Sequence, residues 1–244
     1  MKILAVIPAR YGSSRFPGKP LIDLKGKTMI RRVYEGVKRS ALISEVVVAT
    51  DDERIYKEVQ SFGGNCIMTS PDHPSGTDRC AEVTAQFIEM DIVINVQGDE
   101  PLVDHRQLEQ LLTAFNEPST TIATLASRSI SIEDLGNPNR IKLVVNAHGK
   151  AMYFSRSSVP NHQHSKGNAI EHYPYLRHIG LYAYRRDTLL ELTQLQPTLL
   201  EQTESLEQLR WMYYGYQIGV VETTIETPNI DVPEDVDKVL IALG

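Results

Sequence analysis

Between Pro8 and Pro20 the chain sets Arg10, Arg15 and Lys19 among three prolines and two glycines. Glycine lets a backbone approach a ligand where a Cβ would intrude, and proline removes conformational freedom. A stiff loop of this kind combines backbone N–H groups with fixed positive charge, which is the chemistry of a polyphosphate site. It is not the familiar glycine-rich phosphate loop. Gly12 and Gly18 have five residues between them, and Lys19 is followed by Pro20 where that loop carries a hydroxyl for a metal. A second candidate is Asp99, in Gln97-Gly98-Asp99-Glu100-Pro101. A carboxylate just past an apolar strand, beside a glycine, is placed to hold a hard cation; capping of a helix that starts near His105 is the structural alternative. A third is Ser75-Gly76-Thr77-Asp78-Arg79, where a helix start presents hydroxyls and free N–H groups; taken alone, a plain N-cap accounts for it.

These residues need a scaffold. Residues 3–7 form an apolar run too short for a helix and bounded by turn residues, as in a buried parallel strand. A helix over 29–39 follows, with Met29, Ile30, Val33 and Val37 on one side. A β-branched strand over 45–50 comes next, then a helix over 54–62 with Asp51 or Asp52 at its start and Gly63-Gly64 at its end. A short strand over 65–69, a helix from Ser75 to about Met90 and a strand over 91–96 complete the pattern. Alternation of this kind predicts an α/β fold with a mostly parallel sheet flanked by crossover helices. The phosphate loop and Asp99 then both sit at carboxyl ends of strands, where open α/β sheets bind ligands.

From Thr121 the texture changes. A strand over 121–126 and a hairpin of 141–145 with 151–154, turning at Gly149, point to a mainly antiparallel inserted lobe over 121–184. Residues 161–175 hold His162, His164 and His172 without a cysteine or carboxylate cluster, which favours a surface loop over a metal site. A strand over 177–184 returns to the main sheet, and a helix over 186–195 follows. Another helix places Leu206, Leu209 and Tyr213 on an apolar face, with Trp211 in the core. A strand over 218–224 precedes Asn229-Ile230-Asp231-Val232-Pro233-Glu234-Asp235, where Pro233 and the acidic pair suit a first helical turn.

Of the 244 residues, 41% are hydrophobic, enough for a packed core, and the formal net charge is −6. That charge argues against broad nucleic-acid binding, and it means an anionic substrate needs local cations. The two cysteines form no metal pattern and fit a reduced cytoplasmic protein. The apolar run before Pro8 is shorter than a signal-peptide core, and no run reaches the length of a membrane span.

The motifs Pro8 to Leu21 (PARYGSSRFPGKPL), Ser75 to Arg79 (SGTDR), Asn95 to Pro101 (NVQGDEP) and the Asp231 segment resemble those of the 3-deoxy-manno-octulosonate (Kdo) cytidylyltransferase family, also called CMP-Kdo synthetases. FSR at Phe154 to Arg156, RHIG from Arg177 and LEQLR from Leu206 extend the likeness over nearly the whole chain. The resemblance implies a Rossmann-like sugar nucleotidyltransferase fold whose inserted lobe forms a homodimer. It implies the reaction CTP + Kdo → CMP-Kdo + pyrophosphate, feeding lipopolysaccharide synthesis in the cytoplasm, without nucleic acid or membrane as partner. The acidic eight-carbon sugar is Kdo or a close analogue such as 8-amino-Kdo.

The resemblance also assigns roles. Lys19, Asp99 and Asp231 would be catalytic, with Asp99 and Asp231 holding Mg²⁺. Pro8, Ala9, Arg10, Ser13, Arg15, Lys19, Ser75, Gly76 and Arg79 would bind the nucleotide. Gln97, Arg156, His178, Tyr182, Glu207 and Gln208 would bind the sugar. Val232 stands where the family usually has Thr, a change that leaves the Asp231 carboxylate untouched. Two rival readings are a CMP-sialate synthetase, which typically has Lys-Asn where this chain has Lys19-Pro20, and a non-catalytic nucleotide-binding relative, which predicts decay at Lys19 and the two aspartates.

Overall fold

The computed structural model describes residues 1–12, 16–161 and 169–244. Ser13, Arg15, His162 and His164, named above, lie outside the described residues. The chain divides into two compact units. The first comprises Met1–Glu109, Ala183–Thr193 and Thr227–Gly244, and the second Gln110–Tyr182 and Gln194–Glu226. The second unit is thus wider than the 121–184 stretch, taking in a later segment that sequence texture did not join to it.

The first unit opens with β1 (Ile3–Ala9), α1 (Met29–Val37), β2 (Glu45–Thr50), α2 (Glu53–Ser61), β3 (Cys66–Met68), α3 (Gly76–Ala85) and β4 (Ile92–Asn95), before α4 (His105–Leu112) leads out of it. β1 lies between β2 and β4, with β3 outside β2, and all these pairings are parallel. Residues 3–7 are all buried, as strands covered on both faces must be. The chain runs outward from β1 to β2 and β3, then returns to β4 on the other side of β1. That reversal opens a crevice at the carboxyl ends of β1 and β4.

Side chains set the helix starts. Thr28 caps α1, its hydroxyl accepting from Arg31 N. Asp52 caps α2 by accepting from Arg54 N, which settles the Asp51-or-Asp52 choice. Each such cap contributes about 1 kcal/mol. α3 is shorter than the expected run to Met90. The Thr84 hydroxyl donates back to Cys80 O at 2.7 Å, and Gln86 N and Phe87 N turn to the carbonyls three residues earlier. The three-residue bonds tighten and close the last turn, and the Thr84 bond weakens it slightly.

The second unit holds β5 (Ile122–Ser127), α5 (Ile132–Gly136), β6 (Lys142–Val145), β7 (Ala151–Ser155), α6 (Ala169–His172) and most of β8 (Leu176–Arg185). The last residues of β8 and all of α7 (Arg186–Leu192) belong to the first unit; α7 stops three residues short of the expected end at 195. α8 (Leu199–Glu204), α9 (Gln208–Tyr213) and β9 (Ile218–Glu222) complete the second unit, and α10 (Val236–Ala242) lies in the first. β6 pairs antiparallel with both β7 and β8, whereas β5 pairs parallel with β9. The hairpin turns at Gly149 (φ 66°), with Asn146 Oδ1 accepting from His148 N and Lys150 N.

One apolar face differs from expectation. Leu206 precedes α9 instead of lying in it, so residues 206, 209 and 213 do not share a helical stripe. Leu209 and Trp211 are buried, and Tyr213 is 67% exposed.

Candidate active site

A cavity of about 250 Å³ lies in the first unit, at the carboxyl ends of β1 and β4 and the start of α3. Pro8, Ala9 and Arg10 wall it from β1, and Gln97, Gly98 and Asp99 from the loop after β4. Ser75, Gly76 and Arg79 close the α3 side, and Lys19 faces in from the basic loop. Three motifs far apart in sequence therefore meet at one crevice.

Close backbone approach explains two glycines. A Cβ on Gly98 would fall 2.7 Å from the Pro8 carbonyl oxygen, which real contacts do not allow. A Cβ on Gly76 would sit 3.3 Å from Pro8 Cγ. The basic loop is closed by Gly18 N donating to Tyr11 O at 2.9 Å, and Gly18 takes a left-handed φ of 72° that favours glycine. The Arg54 guanidinium stacks on the Tyr11 ring, 3.3 Å from its centroid, and also pairs with Asp52. This is an Arg–aromatic contact that sequence spacing did not announce.

Asp99 and Lys19 are joined directly, Lys19 Nζ donating to Asp99 Oδ2 at 2.9 Å. The same ammonium donates to Ile230 O at 2.7 Å, and Ile230 N donates to Asp99 O at 2.9 Å. Ile230 is buried with Leu24, Met29 and Val239. The core thus holds the residue just before Asp231 against Asp99. Asp231 N and Val232 N both donate to Asp235 Oδ2, fixing the turn that carries the second carboxylate.

Ser75 is an N-cap, accepting from Asp78 N at 3.2 Å, and its neighbour Gly76 lines the cavity, so the capping and binding readings coexist. Arg79 lines the cavity but is only 4% exposed, and its guanidinium is engaged by Asp51 at 3.2 Å and by the Thr69 hydroxyl. Arg10 is exposed at the end of β1. His73, which sequence reasoning assigned only to a rigid turn, also lines the cavity, its ring held by Glu82. The sole advance sign of it was the proline-flanked turn before Ser75.

The second unit gathers the other candidates, Gln97 excepted. His178, Tyr182, Phe154 and Trp211 form an aromatic chain: Phe154 to His178 at 5.1 Å, His178 to Tyr182 at 5.3 Å and Tyr182 to Trp211 at 5.3 Å between centroids. Burial, with a smaller push from Arg177, lowers the His178 pKa to about 3, so the ring is neutral. Burial, with the charge of Glu207, raises the Tyr182 phenol well above its ordinary value. His178 Nε2 lies 3.0 Å from the hydroxyl of Thr124, a residue that sequence reasoning placed only as part of a strand.

Arg156 is held by Glu204: its backbone N donates to Glu204 Oε2 at 2.9 Å and its Nε to Glu204 O at 2.6 Å. Its remaining nitrogens donate to Pro138 O and Ser205 O. Three of its five N–H donors are thus used and two remain. Glu207 stands at the start of α9 with Arg210 3.7 Å away, and the buried Gln208 Nε2 has no partner among the described residues. Among the described residues no three His, Cys, Asp or Glu side chains gather in a metal-binding group, and no helix is long and apolar enough to cross a membrane.

Comparison with known proteins agrees with this geometry. A cytidylyltransferase family model matches residues 4–222. The chain is 50% identical over 242 residues to a 3-deoxy-manno-octulosonate cytidylyltransferase of Cytophaga hutchinsonii, covering 98% of this chain and 96% of the relative. It is 49% identical over 250 residues to the enzyme of the same name from Parabacteroides distasonis, covering 100% and 99%. A solved CMP:2-keto-3-deoxy-manno-octonic acid synthetase, complexed with CTP, superposes with a TM-score of 0.93 at 47% identity, covering 100% of this chain and 98% of that one. The chain belongs to the cytidylyltransferase family, among the 3-deoxy-manno-octulosonate cytidylyltransferases.

Proposed function

We propose that the protein activates Kdo with CTP, giving CMP-Kdo and pyrophosphate for lipopolysaccharide synthesis. The observation that carries this reading is the crevice where the basic loop, the Gly76 helix start and the Lys19–Asp99 pair converge. A sugar hydroxyl attacks the α-phosphorus of CTP in line and pyrophosphate leaves. Such a reaction depends on positioning and charge neutralisation more than on covalent chemistry. Lys19 has spent two of its three N–H donors on Asp99 and Ile230 O; the third is available to a β- or γ-phosphate. Arg10, Ser13 and Arg15 are proposed to complete the nucleotide contacts. Pro8, Ala9, Ser75 and Gly76 hold the base, while the buried Arg79 fixes the shape of the wall behind it.

Asp99 and Asp231 fit Mg²⁺. In nucleotide sites this ion takes one or two carboxylates and fills its octahedron with phosphate and water oxygens, so a pair of aspartates is the donor set required. Bound there, Mg²⁺ would polarise the α-phosphate and lower the pKa of the attacking hydroxyl.

Gln97, Arg156, His178, Tyr182, Glu207 and Gln208 are proposed to bind the sugar. Arg156 retains two N–H donors for its carboxylate, and the partnerless Gln208 Nε2 is a buried donor suited to a ligand acceptor. Two copies are proposed to pair through the 121–184 stretch, where Met152 and Tyr173 are exposed; light scattering tests this.

The reaction is tested by pyrophosphate release from CTP with Kdo, 8-amino-Kdo and sialic acid side by side. Turnover is expected with Kdo or its 8-amino analogue and not with sialic acid. Turnover with sialic acid alone, or with none of the three, overturns the reading.

A further inference from the structure

Thr124 lies in the middle of β5, buried, and is not among the residues that line the nucleotide cavity. Its hydroxyl is nonetheless crowded by groups of defined hydrogen-bonding character. Thr124 Oγ1 is 2.9 Å from Leu181 O and 3.2 Å from Ile179 O. A main-chain carbonyl can only accept, so the one hydrogen of the hydroxyl is committed to a carbonyl. The oxygen then has only lone pairs to offer to its remaining neighbours, the Tyr182 phenol and His178 Nε2, the latter at 3.0 Å. That contact is a hydrogen bond only if Nε2 carries the proton. In a neutral imidazole the proton can sit on one nitrogen alone. Nδ1 is therefore a bare acceptor, and it has no hydrogen-bond partner among the described residues.

We propose that Thr124 is a positioning residue that locks His178 in the Nε2–H tautomer, so that Nδ1 meets a hydroxyl of the acidic sugar and repels its carboxylate. This rests on the reading of His178 as a sugar contact. It divides the labour at that site. The donors, Arg156 and Gln208, are left to the carboxylate, and His178 reads a hydroxyl. The ring packs against Phe154 in a T-shaped contact and against Tyr182 in a tilted one, so rotation to present the other nitrogen is opposed by packing as well as by the Thr124 bond. A tautomer fixed by a second partner is the usual way a protein decides which imidazole nitrogen faces a ligand.

The test begins without substrate. Long-range ¹H–¹⁵N NMR of ¹⁵N-histidine-labelled wild-type protein at pH 7, with His178→Asn to assign the ring, is expected to show a neutral His178 protonated on Nε2. An Nδ1–H ring, or an imidazolium, overturns the proposal whether or not any variant folds. Thr124→Val is expected to give mixed tautomers and to raise KM for Kdo about tenfold, the scale of one buried hydrogen bond to a ligand, with KM for CTP unchanged. Thr124→Ser, which restores the hydroxyl, is expected to recover both the tautomer and KM. A folded Thr124→Val protein with an unchanged tautomer and unchanged KM for Kdo overturns the proposal. If the wild type turns over no Kdo, the reading of the sugar fails and the hydroxyl assignment with it, whereas the tautomer measurement stands on its own.

Discussion

Lys19 Nζ donates to Asp99 Oδ2 at 2.9 Å, across eighty residues of sequence, with the lysine side chain only 12% exposed and the aspartate 29%. The pair ties the basic loop after β1 to the carboxylate after β4. Because the same ammonium also binds Ile230 O, it fixes the approach of Asp231. Partly buried charge-assisted bonds of this kind are stronger than surface ion pairs, and here they hold together residues that are proposed to share one metal ion and one triphosphate.

Asp99→Asn is expected to lower kcat by about 10²-fold or more, the scale of lost charge stabilisation at a metal site, while the protein stays folded by circular dichroism. Asp231→Asn should behave likewise. If both ligate one ion, the double variant loses far less than the product of the single losses. Normal turnover of either single variant at saturating Mg²⁺ contradicts the assignment.

Lys19→Met should weaken CTP more than CMP, because the free donor of Lys19 is proposed to meet phosphates that CMP lacks. Calorimetric titration of both nucleotides decides this. Equal weakening would place the lysine elsewhere.

Gly76→Val should damage the proposed base pocket, since even a Cβ there already comes within 3.3 Å of Pro8 Cγ. Activity with CTP is expected to fall while inorganic triphosphate still binds at the basic loop. Gly98→Ala should be the harsher change, its Cβ falling 2.7 Å from backbone. Retention of normal CTP kinetics by Gly76→Val would remove the helix start from the pocket.

His178 carries a pH signature. Its pKa is lowered by burial to about 3, below the roughly 6.5 of an unfolded histidine. Between those values the unfolded chain binds the extra proton and the folded chain does not. Its contribution to stability is therefore complete above about pH 6.5 and is lost as pH falls toward the folded value. From pH 6 to pH 4, wild type should lose stability faster than His178→Asn, by up to about 1.4 kcal/mol per pH unit. Identical slopes in urea titrations would show that the ring titrates normally.

The strands and helices of the first unit were legible because apolar runs and periodic faces report burial directly: residues 3–7, 45–50 and 91–96 read as strands from their composition. Asp99 was legible for the same reason, being the first carboxylate past such a strand, with Gly98 beside it. What was not legible depends on neighbours distant in sequence. Nothing local to Thr124 tells that its hydroxyl meets His178, and nothing local to Ile230 tells that its carbonyl receives Lys19. α3 ends early, its last turn tightening as Gln86 N and Phe87 N bond three residues back, a change that periodicity does not encode. The spacing of Leu206, Leu209 and Tyr213 fits a helical stripe, but Leu206 stands outside the helix and Tyr213 faces solvent.

The crevice is proposed to select cytidine triphosphate for transfer. In the proposed pocket a backbone carbonyl meets the exocyclic amine of cytosine; uracil would oppose it with another acceptor. An unsatisfied buried polar group costs about 1–3 kcal/mol, or roughly 5- to 150-fold, and purines are excluded by size. The decisive measurement is kcat/KM for CTP, UTP, ATP and GTP with Kdo as acceptor. CTP is expected to be preferred, with UTP a poor but detectable substrate and ATP and GTP inert. Comparable kcat/KM for CTP and ATP would contradict the account.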